Sequence, residues 1–234
     1  MMTTVEQNLA DVRERIAKAA AQAGRDADEI KLIAVSKTHP AARIEDALAA
    51  GVTAIGENRV QEAEDKIAEV GREAAEWHLI GHLQSNKARK AVELFDVIES
   101  VDSVDLAKRL ERICIEVGRS ELPVFIEVDL AGEATKAGIA EDEVPDLVRM
   151  LRSCICLRLD GLMIVPPYFE DPEKTRPFFR RLREMRDSLL SEGAFGSGGG
   201  ELSMGMSHDL EVAVEEGATV VRVGTDIFGE RDLA

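Results

Sequence analysis

Cysteine is scarce in this sequence: Cys114, Cys154 and Cys156 are the three in 234 residues. A small, odd number excludes the disulfide framework of small secreted proteins and is typical of a reducing compartment. Cys154 and Cys156 are one residue apart and lack the further Cys or His ligands that a structural zinc site requires nearby. We therefore interpret this pair as small buried apolar side chains.

Basic residues are also few, with 29 Lys and Arg against 45 Asp and Glu and a formal net charge of -16. Such a charge repels nucleic acid and anionic membrane surfaces. No apolar run approaches the length that spans a bilayer, and the N-terminal segment has no signal-peptide core. We expect a cytoplasmic protein that binds neither nucleic acid nor membranes.

What the sequence does contain is a regular alternation of short apolar and longer amphipathic segments. Residues 4–24 have helical spacing, with Thr3 and Glu6 as a possible capping box and Gly24 as a stop. Eight strand-like segments follow, at residues 31–36, 53–56, 77–81, 95–100, 122–130, 158–165, 201–205 and 218–224. Helical segments lie between them, which favours a parallel sheet with helices outside it.

Eight strand and helix units in a chain close to the length typical of the fold predict an α/β protein. We expect a single domain over residues 1–234, a (β/α)8 TIM-type barrel with an extra N-terminal helix. An open, doubly wound sheet is the alternative, because the number of strands does not prove that the sheet closes.

Lys37 ends the first predicted strand. In a (β/α)8 barrel the loops after the strands form the face that carries the chemistry. A neutral lysine amine at this mouth can form a Schiff base with a carbonyl compound, because the neutral amine is the nucleophile. The alternative is a lysine that only extends into solvent.

Phosphate is usually held in such barrels by the loops after the seventh and eighth strands. Ser207 follows the seventh strand, and Gly224 and Thr225 follow the eighth. Two hydroxyls and the backbone amides of Gly224 and Thr225 suit a phosphate dianion. Ser207 is alternatively a helix N-cap, which Asp209 in the first turn supports. The glycine-rich stretch at 193–201 precedes a strand, so we interpret it as a loop and not as a phosphate-binding fingerprint.

Arg222 lies two residues before the end of the eighth strand and is expected to point into the barrel. A buried arginine needs an acceptor, which is either a carboxylate such as Glu127 or Asp129, or the ring nitrogen of a cofactor. His78 and His82 share strand parity, but without a third ligand at suitable spacing we expect no metal site. His82 is better placed to lie against a flat cofactor ring.

Seven ordered motifs, which together cover essentially the whole chain, resemble those of the pyridoxal phosphate homeostasis proteins: "LIAVSKTHP", "GENRVQE", "WHLIGHLQSNKAR", "ESVDS", "DLAGEATKAGI", "GLMIVPP" and "LSMGMSHDLEVAVEEGATVVRVGTDIFGER". The resemblance implies a barrel like the N-terminal domain of alanine racemase. It also implies that Lys37 holds pyridoxal 5'-phosphate (PLP) as an internal aldimine. The cofactor-binding residues implied in this way are Lys37, Asn58, His82, Met204, Ser207, Arg222, Gly224 and Thr225.

The resemblance further assigns Ser207, Gly224 and Thr225 to the phosphate and Arg222 to the pyridine ring. Lys136 matches a lysine linked to cofactor exchange, although a solvated loop lysine is the simpler account. There are two departures from the family pattern. His208 stands where an acidic residue is common, and the "GSGGG" loop is longer than usual.

Three functions are compatible with such a site. The resemblance implies a monomeric carrier in vitamin B6 homeostasis, which holds PLP and supplies PLP-dependent apoenzymes without catalytic turnover. A PLP-dependent amino-acid racemase is the second, but barrel racemases use a further β domain and an opposing tyrosine. We expect no such domain after residue 230, and Tyr168 is the single tyrosine. In the third, Lys37 attacks a sugar-phosphate carbonyl directly, as in an aldolase.

Overall fold

A closed parallel barrel forms the centre of the structure, a computed structural model that describes residues 3–132 and 137–230. The strands of these residues are β1 Lys31–Val35, β2 Ala54–Glu57, β3 Glu76–Leu79, β4 Val97–Val101, β5 Leu122–Asp129, β6 Ile139–Ala140, β7 Leu157–Met163, β8 Glu201–Ser203 and β9 Val220–Val223. β1 pairs in parallel with both β2 and β9, and β4 pairs with β5. The ring therefore closes in the order β1, β2, β3, β4, β5, β7, β8, β9, with β6 attached to β5. The predicted barrel is confirmed, and the open sheet is excluded.

Helices surround the barrel. Those of the described residues are α1 Thr4–Gln22, α2 Ala41–Ala49, α3 Val60–Val70, α4 Ala88–Leu94, α5 Val104–Val117, α6 Val144–Arg152, α7 Arg176–Ser191, α8 Leu210–Glu215 and α9 Thr225–Phe228. α1 precedes β1 and has the predicted capping box, because the Thr3 side chain accepts from the Glu6 amide at 3.1 Å and Glu6 Oε2 accepts from the Thr3 amide. It packs against α8 and α9. In the described ranges, no helix has the length and apolar character to cross a membrane.

Strand alternation divides the core into two regions. Ile33 and Val35 of β1 lie inside the barrel, in one cluster with Ala54 and Val220. Ala34, between them, belongs to the larger apolar layer that fills the space between the sheet and the helices. Because successive side chains of a strand point to opposite faces, this alternation decides which strand-end residues can reach the barrel mouth.

The cysteines lie away from that mouth. Cys156 is buried and Cys154 is half-buried near the start of β7, and Cys114 is buried on α5. Burial raises the pKa of Cys114 to about 11 and that of Cys154 to about 12. The thiols are therefore protonated near neutral pH and behave as apolar side chains.

Candidate functional site

A cavity of about 460 Å³ opens at the C-terminal mouth of the barrel. Six of the eight predicted site residues line it: Lys37, Asn58, Ser207, Arg222, Gly224 and Thr225. They lie at or just after the ends of β8, β9, β1 and β2, which are four consecutive strands of the ring. The site is therefore assembled by barrel closure from segments that are far apart in sequence.

Close backbone packing places Gly224 beside the strand that carries Lys37. A Cβ on Gly224 would lie 3.1 Å from the carbonyl oxygen of Val35, which is two residues before Lys37. A larger residue would therefore push the end of β9 away from β1. Lys37 is half-buried at this junction.

Arg222 is the most buried cation of the cavity wall, with 3% of its surface exposed. Its guanidinium donates to Ser203 Oγ at 2.5 Å and to the carbonyl oxygen of Ile164 at 2.7 Å. The predicted carboxylates are not direct acceptors: the charges of Glu99 and Glu127 act on Arg222 without a hydrogen bond. Sequence reasoning missed Ser203 because a serine inside an apolar strand gives no distinctive signal.

Ser203 is one member of a chain of hydrogen-bonded, buried polar groups. Its hydroxyl donates to Glu99 Oε2 at 2.5 Å, and Glu99 Oε1 lies 2.7 Å from His78 Nδ1. Burial alone would raise the pKa of Glu99, but the hydrogen bond from His78 and the nearby charges outweigh it and lower that pKa. Burial would lower the pKa of His78, but its contacts with Glu76 and Glu99 raise it instead. His78 is therefore a buried partner of Glu99.

The loop after β8 is shaped by Gly205. Its φ is +95°, and a Cβ there would lie 2.5 Å from Cβ of Ala213 on α8. α8 begins at Leu210 with Asp209 as its N-cap residue, so Ser207 is not the N-cap. The Ser207 hydroxyl instead lines the cavity and accepts from the Asp226 amide at 3.4 Å.

Asn58 is held in the cavity wall by the neighbouring strand end. A Cβ on Gly81 would lie 2.4 Å from the carbonyl oxygen of Asn58, so the two backbones approach as closely as a glycine allows. Oδ1 of Asn58 is buried and has no hydrogen-bond partner among the described residues. An orphaned acceptor in a cavity wall is a position where a ligand donor fits.

Two predicted residues lie outside the cavity. Met204 is fully buried in the layer between sheet and helices, because it follows the inward-facing Ser203 and alternation turns it outward. His82 has an exposed side chain whose Nδ1 lies 3.0 Å from Asp102 Oδ2, and it lines a neighbouring surface groove. Lys136 lies outside the described residues.

Comparison with known proteins places the chain in a family. A model described as "Alanine racemase, N-terminal domain" matches residues 7–232. The chain is 43% identical over 231 residues to the pyridoxal phosphate homeostasis protein of Pseudomonas aeruginosa, which covers 99% of this chain and 97% of that protein.

The chain belongs to the pyridoxal phosphate homeostasis protein family.

Solved structures agree with this assignment. PipY of Synechococcus elongatus, solved with PLP bound, is 41% identical with a TM-score of 0.79, covering 96% of this chain and all of that chain. Alanine racemase from Corynebacterium glutamicum has a TM-score of 0.69 at 17% identity and is covered over 62% of its length. At that identity the likeness shows the fold alone.

In this member of the homeostasis protein family, the rim of the cavity also carries two histidines that were not predicted as site residues. His39 stacks at a tilt on Phe228, with ring centroids 5.3 Å apart. His208 stacks in the same way on Tyr168, and its Nε2 lies 3.0 Å from the carbonyl oxygen of Phe169. Because a carbonyl only accepts, Nε2 of His208 carries the hydrogen. Both histidines lie one or two residues from a predicted site residue, which is the signal that could have found them.

Proposed function

We propose that this chain binds pyridoxal 5'-phosphate through Lys37 and takes part in PLP homeostasis without catalytic turnover of its own. The observation that carries the proposal is the convergence of Lys37, Arg222 and Ser207 on one cavity at the barrel mouth. PLP supplies an aldehyde. Condensation of the neutral Lys37 amine with it forms a C=N bond and releases one water.

The residues of the cavity fit this cofactor. The volume of the cavity lies in the range of ordinary small-ligand sites. The hydroxyls of Ser207 and Thr225 can donate to a phosphate monoester, and Gly224 lets the chain pass close to it. The orphaned Oδ1 of Asn58 can accept from a donor on the ring. Arg222 supplies a fixed cation for the ring nitrogen and disfavours protonation of that atom. His82 and Met204, the other two residues predicted to bind the cofactor, do not line this cavity.

Two observations favour a carrier over a racemase. Relatives such as that of Pseudomonas aeruginosa, 43% identical to this chain, are named pyridoxal phosphate homeostasis proteins. Tyr168, the single tyrosine of the sequence, is 77% exposed and stacks on His208 in the loop after β7. An exposed loop tyrosine gives little support for two opposed acid and base groups. We further propose that the carrier is a cytoplasmic monomer and that PLP-dependent apoenzymes receive the cofactor.

Absorption spectroscopy combined with borohydride trapping tests the lysine. Purified protein is titrated with PLP, reduced and mapped by peptide mass spectrometry. We expect a visible absorption band and a reduced adduct at Lys37, both lost in Lys37→Ala. The matched control is Lys31→Ala, because Lys31 begins β1 at the opposite end of the barrel from Lys37 and pairs with Glu76 at 2.7 Å. An adduct that persists in Lys37→Ala would show that another lysine is used.

Amino-acid assays then separate carrier from enzyme. We expect no exchange of the α-proton of alanine in deuterated buffer and a transfer of PLP to an apoenzyme. Steady exchange abolished by Lys37→Ala would instead identify a racemase-type enzyme. The absence of any band in the wild-type protein would remove PLP and favour the aldolase-type lysine.

A further inference from the structure

The backbone next to Lys37 has an unusual conformation. Thr38 has a φ of +67° and is the non-glycine residue with positive φ among residues 3–132 and 137–230. The amide of His39 donates to the carbonyl oxygen of Ser36 at 3.0 Å, which closes a four-residue turn over Lys37 and Thr38. Positive φ at the third residue of such a turn is the pattern of type II turns, where glycine is favoured. A β-branched residue persists there only if its surroundings hold it.

Lys66 of α3 binds one side of this turn. Its Nζ donates to the carbonyl oxygen of Ser36 at 2.7 Å, and also to Glu57 Oε1 and Glu62 Oε1, both at 2.7 Å. An ammonium group has three donors, so all three are in use. Lys66 is thus fully committed to the protein and is not a second site for an aldehyde.

Glu62 and Glu57 bind the rest of the turn. Glu62 Oε1 accepts from the amide of Thr38 at 2.5 Å, and Glu57 Oε1 accepts from the hydroxyl of Ser36 at 2.5 Å. Lys66 bridges the two carboxylates. The residues immediately before and after Lys37 are therefore both tied to one ionic cluster of Glu57, Glu62 and Lys66.

The cluster lies outside the barrel lumen, with Glu57 and Lys66 buried and Glu62 partly exposed. The Lys66 and Glu57 side chains are 8% and 0% exposed, and Glu57 alternates with the inward-facing Asn58, so it points toward α3. Burial raises the pKa of Glu57, although Lys66 opposes this. Burial would also raise the pKa of Glu62, but hydrogen bonds from Lys66 and from the Thr38 amide lower it. Ionic groups in an otherwise apolar layer require mutual pairing.

We propose that Lys66, with Glu57 and Glu62, is a positioning site that holds the left-handed turn at Thr38 and so directs Lys37 into the cavity. The inference rests on the proposed function of Lys37 as the attachment point for PLP. None of the three side chains lines the cavity, so they act through the backbone on either side of Lys37. The alternative is that the cluster only fastens α3 to β2.

A glycine rescue separates these two roles. Lys66→Met removes the charge and the three hydrogen bonds while keeping most of the side-chain volume. Thr38→Gly allows positive φ without a clamp, because glycine has no Cβ. If the cluster holds the turn, adding Thr38→Gly will restore the rate at which Lys37 of the Lys66→Met protein reacts with PLP. If it only fastens α3, the glycine will have no such effect.

The readout is the rate of adduct formation at Lys37, measured by mixing with PLP, reduction with borohydride at timed intervals and peptide mapping. We expect Lys66→Met to form the adduct about tenfold more slowly, since small displacements of a reacting group cost up to about a hundredfold. The double variant with Thr38→Gly recovers most of that rate. Lys31→Met, which breaks an ion pair at the far end of β1, keeps the wild-type rate.

Each alternative result has a distinct meaning. A folded Lys66→Met that reacts at the wild-type rate overturns the inference, and so does a slow variant that Thr38→Gly leaves slow. If Lys66→Met does not fold by circular dichroism, Glu62→Ala replaces it, because Glu62 is partly exposed and its loss leaves the Thr38 amide accessible to water. The same slowing and the same rescue are expected there, and their absence rejects the proposal. A wild-type adduct on another lysine would reject the proposed function itself and this inference with it.

Discussion

Arg222 and Glu99 are joined through one hydroxyl, that of Ser203. Arg222 donates to Ser203 Oγ and Ser203 donates to Glu99 Oε2, each at 2.5 Å. The cation of the cavity wall is thus oriented by a carboxylate that is fully buried in the barrel. Since His78 binds the other oxygen of Glu99, the orientation of Arg222 depends on a continuous line of polar groups across the barrel interior.

Ser203→Ala should interrupt this line. It removes an acceptor from Arg222 and a donor from Glu99, and both groups are buried. Leaving such groups unsatisfied costs about 1–3 kcal/mol each, so we expect a loss of at least about 2 kcal/mol in the free energy of unfolding. Urea denaturation measures it. Ser153→Ala, which removes an exposed hydroxyl bonded to the Met150 carbonyl, is the control and should change little. Equal stability of the two variants would contradict the role given to Ser203.

Removing the two hydroxyls that we propose bind the phosphate should weaken binding of PLP but not of pyridoxal. We expect Ser207→Ala combined with Thr225→Val to weaken binding of PLP by about tenfold or more, because charge-assisted hydrogen bonds contribute about 1.5–3 kcal/mol. Binding of pyridoxal, which lacks the phosphate, should be unchanged. Fluorescence titration with both compounds measures this. An equal loss for pyridoxal and PLP would show that the hydroxyls do not contact the phosphate.

The buried carboxyl of Glu127 should make the free energy of unfolding depend on pH. Burial raises its pKa to about 7, Asp102 adds to this and Arg222 opposes it. An unfolded glutamate titrates at about 4.3. Between these values the folded state binds more protons than the unfolded state, so the contribution of Glu127 to stability falls as pH rises through this window.

Glu127→Gln should remove that contribution. Between about pH 5 and pH 7.5 we expect the variant to lose less stability than the wild type, by on the order of 2 kcal/mol. Urea denaturation at both pH values measures the difference. Glu45→Gln, on the exposed face of α2, should follow the wild type. Parallel behaviour of Glu127→Gln and the wild type would mean that Glu127 titrates normally.

Gly205→Ala should destabilise the protein and displace Ser207. The new Cβ would combine left-handed strain with a collision against Ala213, so we expect a loss of about 2–4 kcal/mol and weaker PLP binding. Gly118→Ala has similar strain, at a φ of +75°, but meets no atom within 4 Å. It should cost about 1 kcal/mol and leave PLP binding intact. A Gly205→Ala protein with wild-type affinity would show that the loop adjusts without moving Ser207.

Much of the architecture is readable in the sequence. The period of the apolar residues changes from two to 3.6 and back along the chain, and this predicted eight strands, the helices between them and the first helix with its Thr3 cap. Lys37, Ser207 and Arg222 could be selected as site residues because each stands at the end of an apolar strand, where burial of a polar group needs a reason.

Assignment of individual strand-end residues was less complete. Met204 and Ser203 are adjacent, and the sequence indicated the methionine while the serine is the one that faces Arg222. Near the end of a three-residue strand the parity cannot be fixed from residue types alone. Glu57 and Asn58 show the same difficulty, since Glu57 turns outward to Lys66 and Asn58 lines the cavity.

The sequence by itself determined the eight strands of the ring and helices α1 to α8, but not β6 or α9, because local period and caps are properties of neighbouring residues. It also determined that a lysine follows the first strand, two residues after its end at Val35. Only the tertiary structure decided that the sheet closes, that Arg222 meets Glu99 through Ser203, and that Lys66 lies against the turn next to Lys37. These contacts join residues 19 to 104 positions apart, and such distances in sequence are set by the register and curvature of the whole barrel.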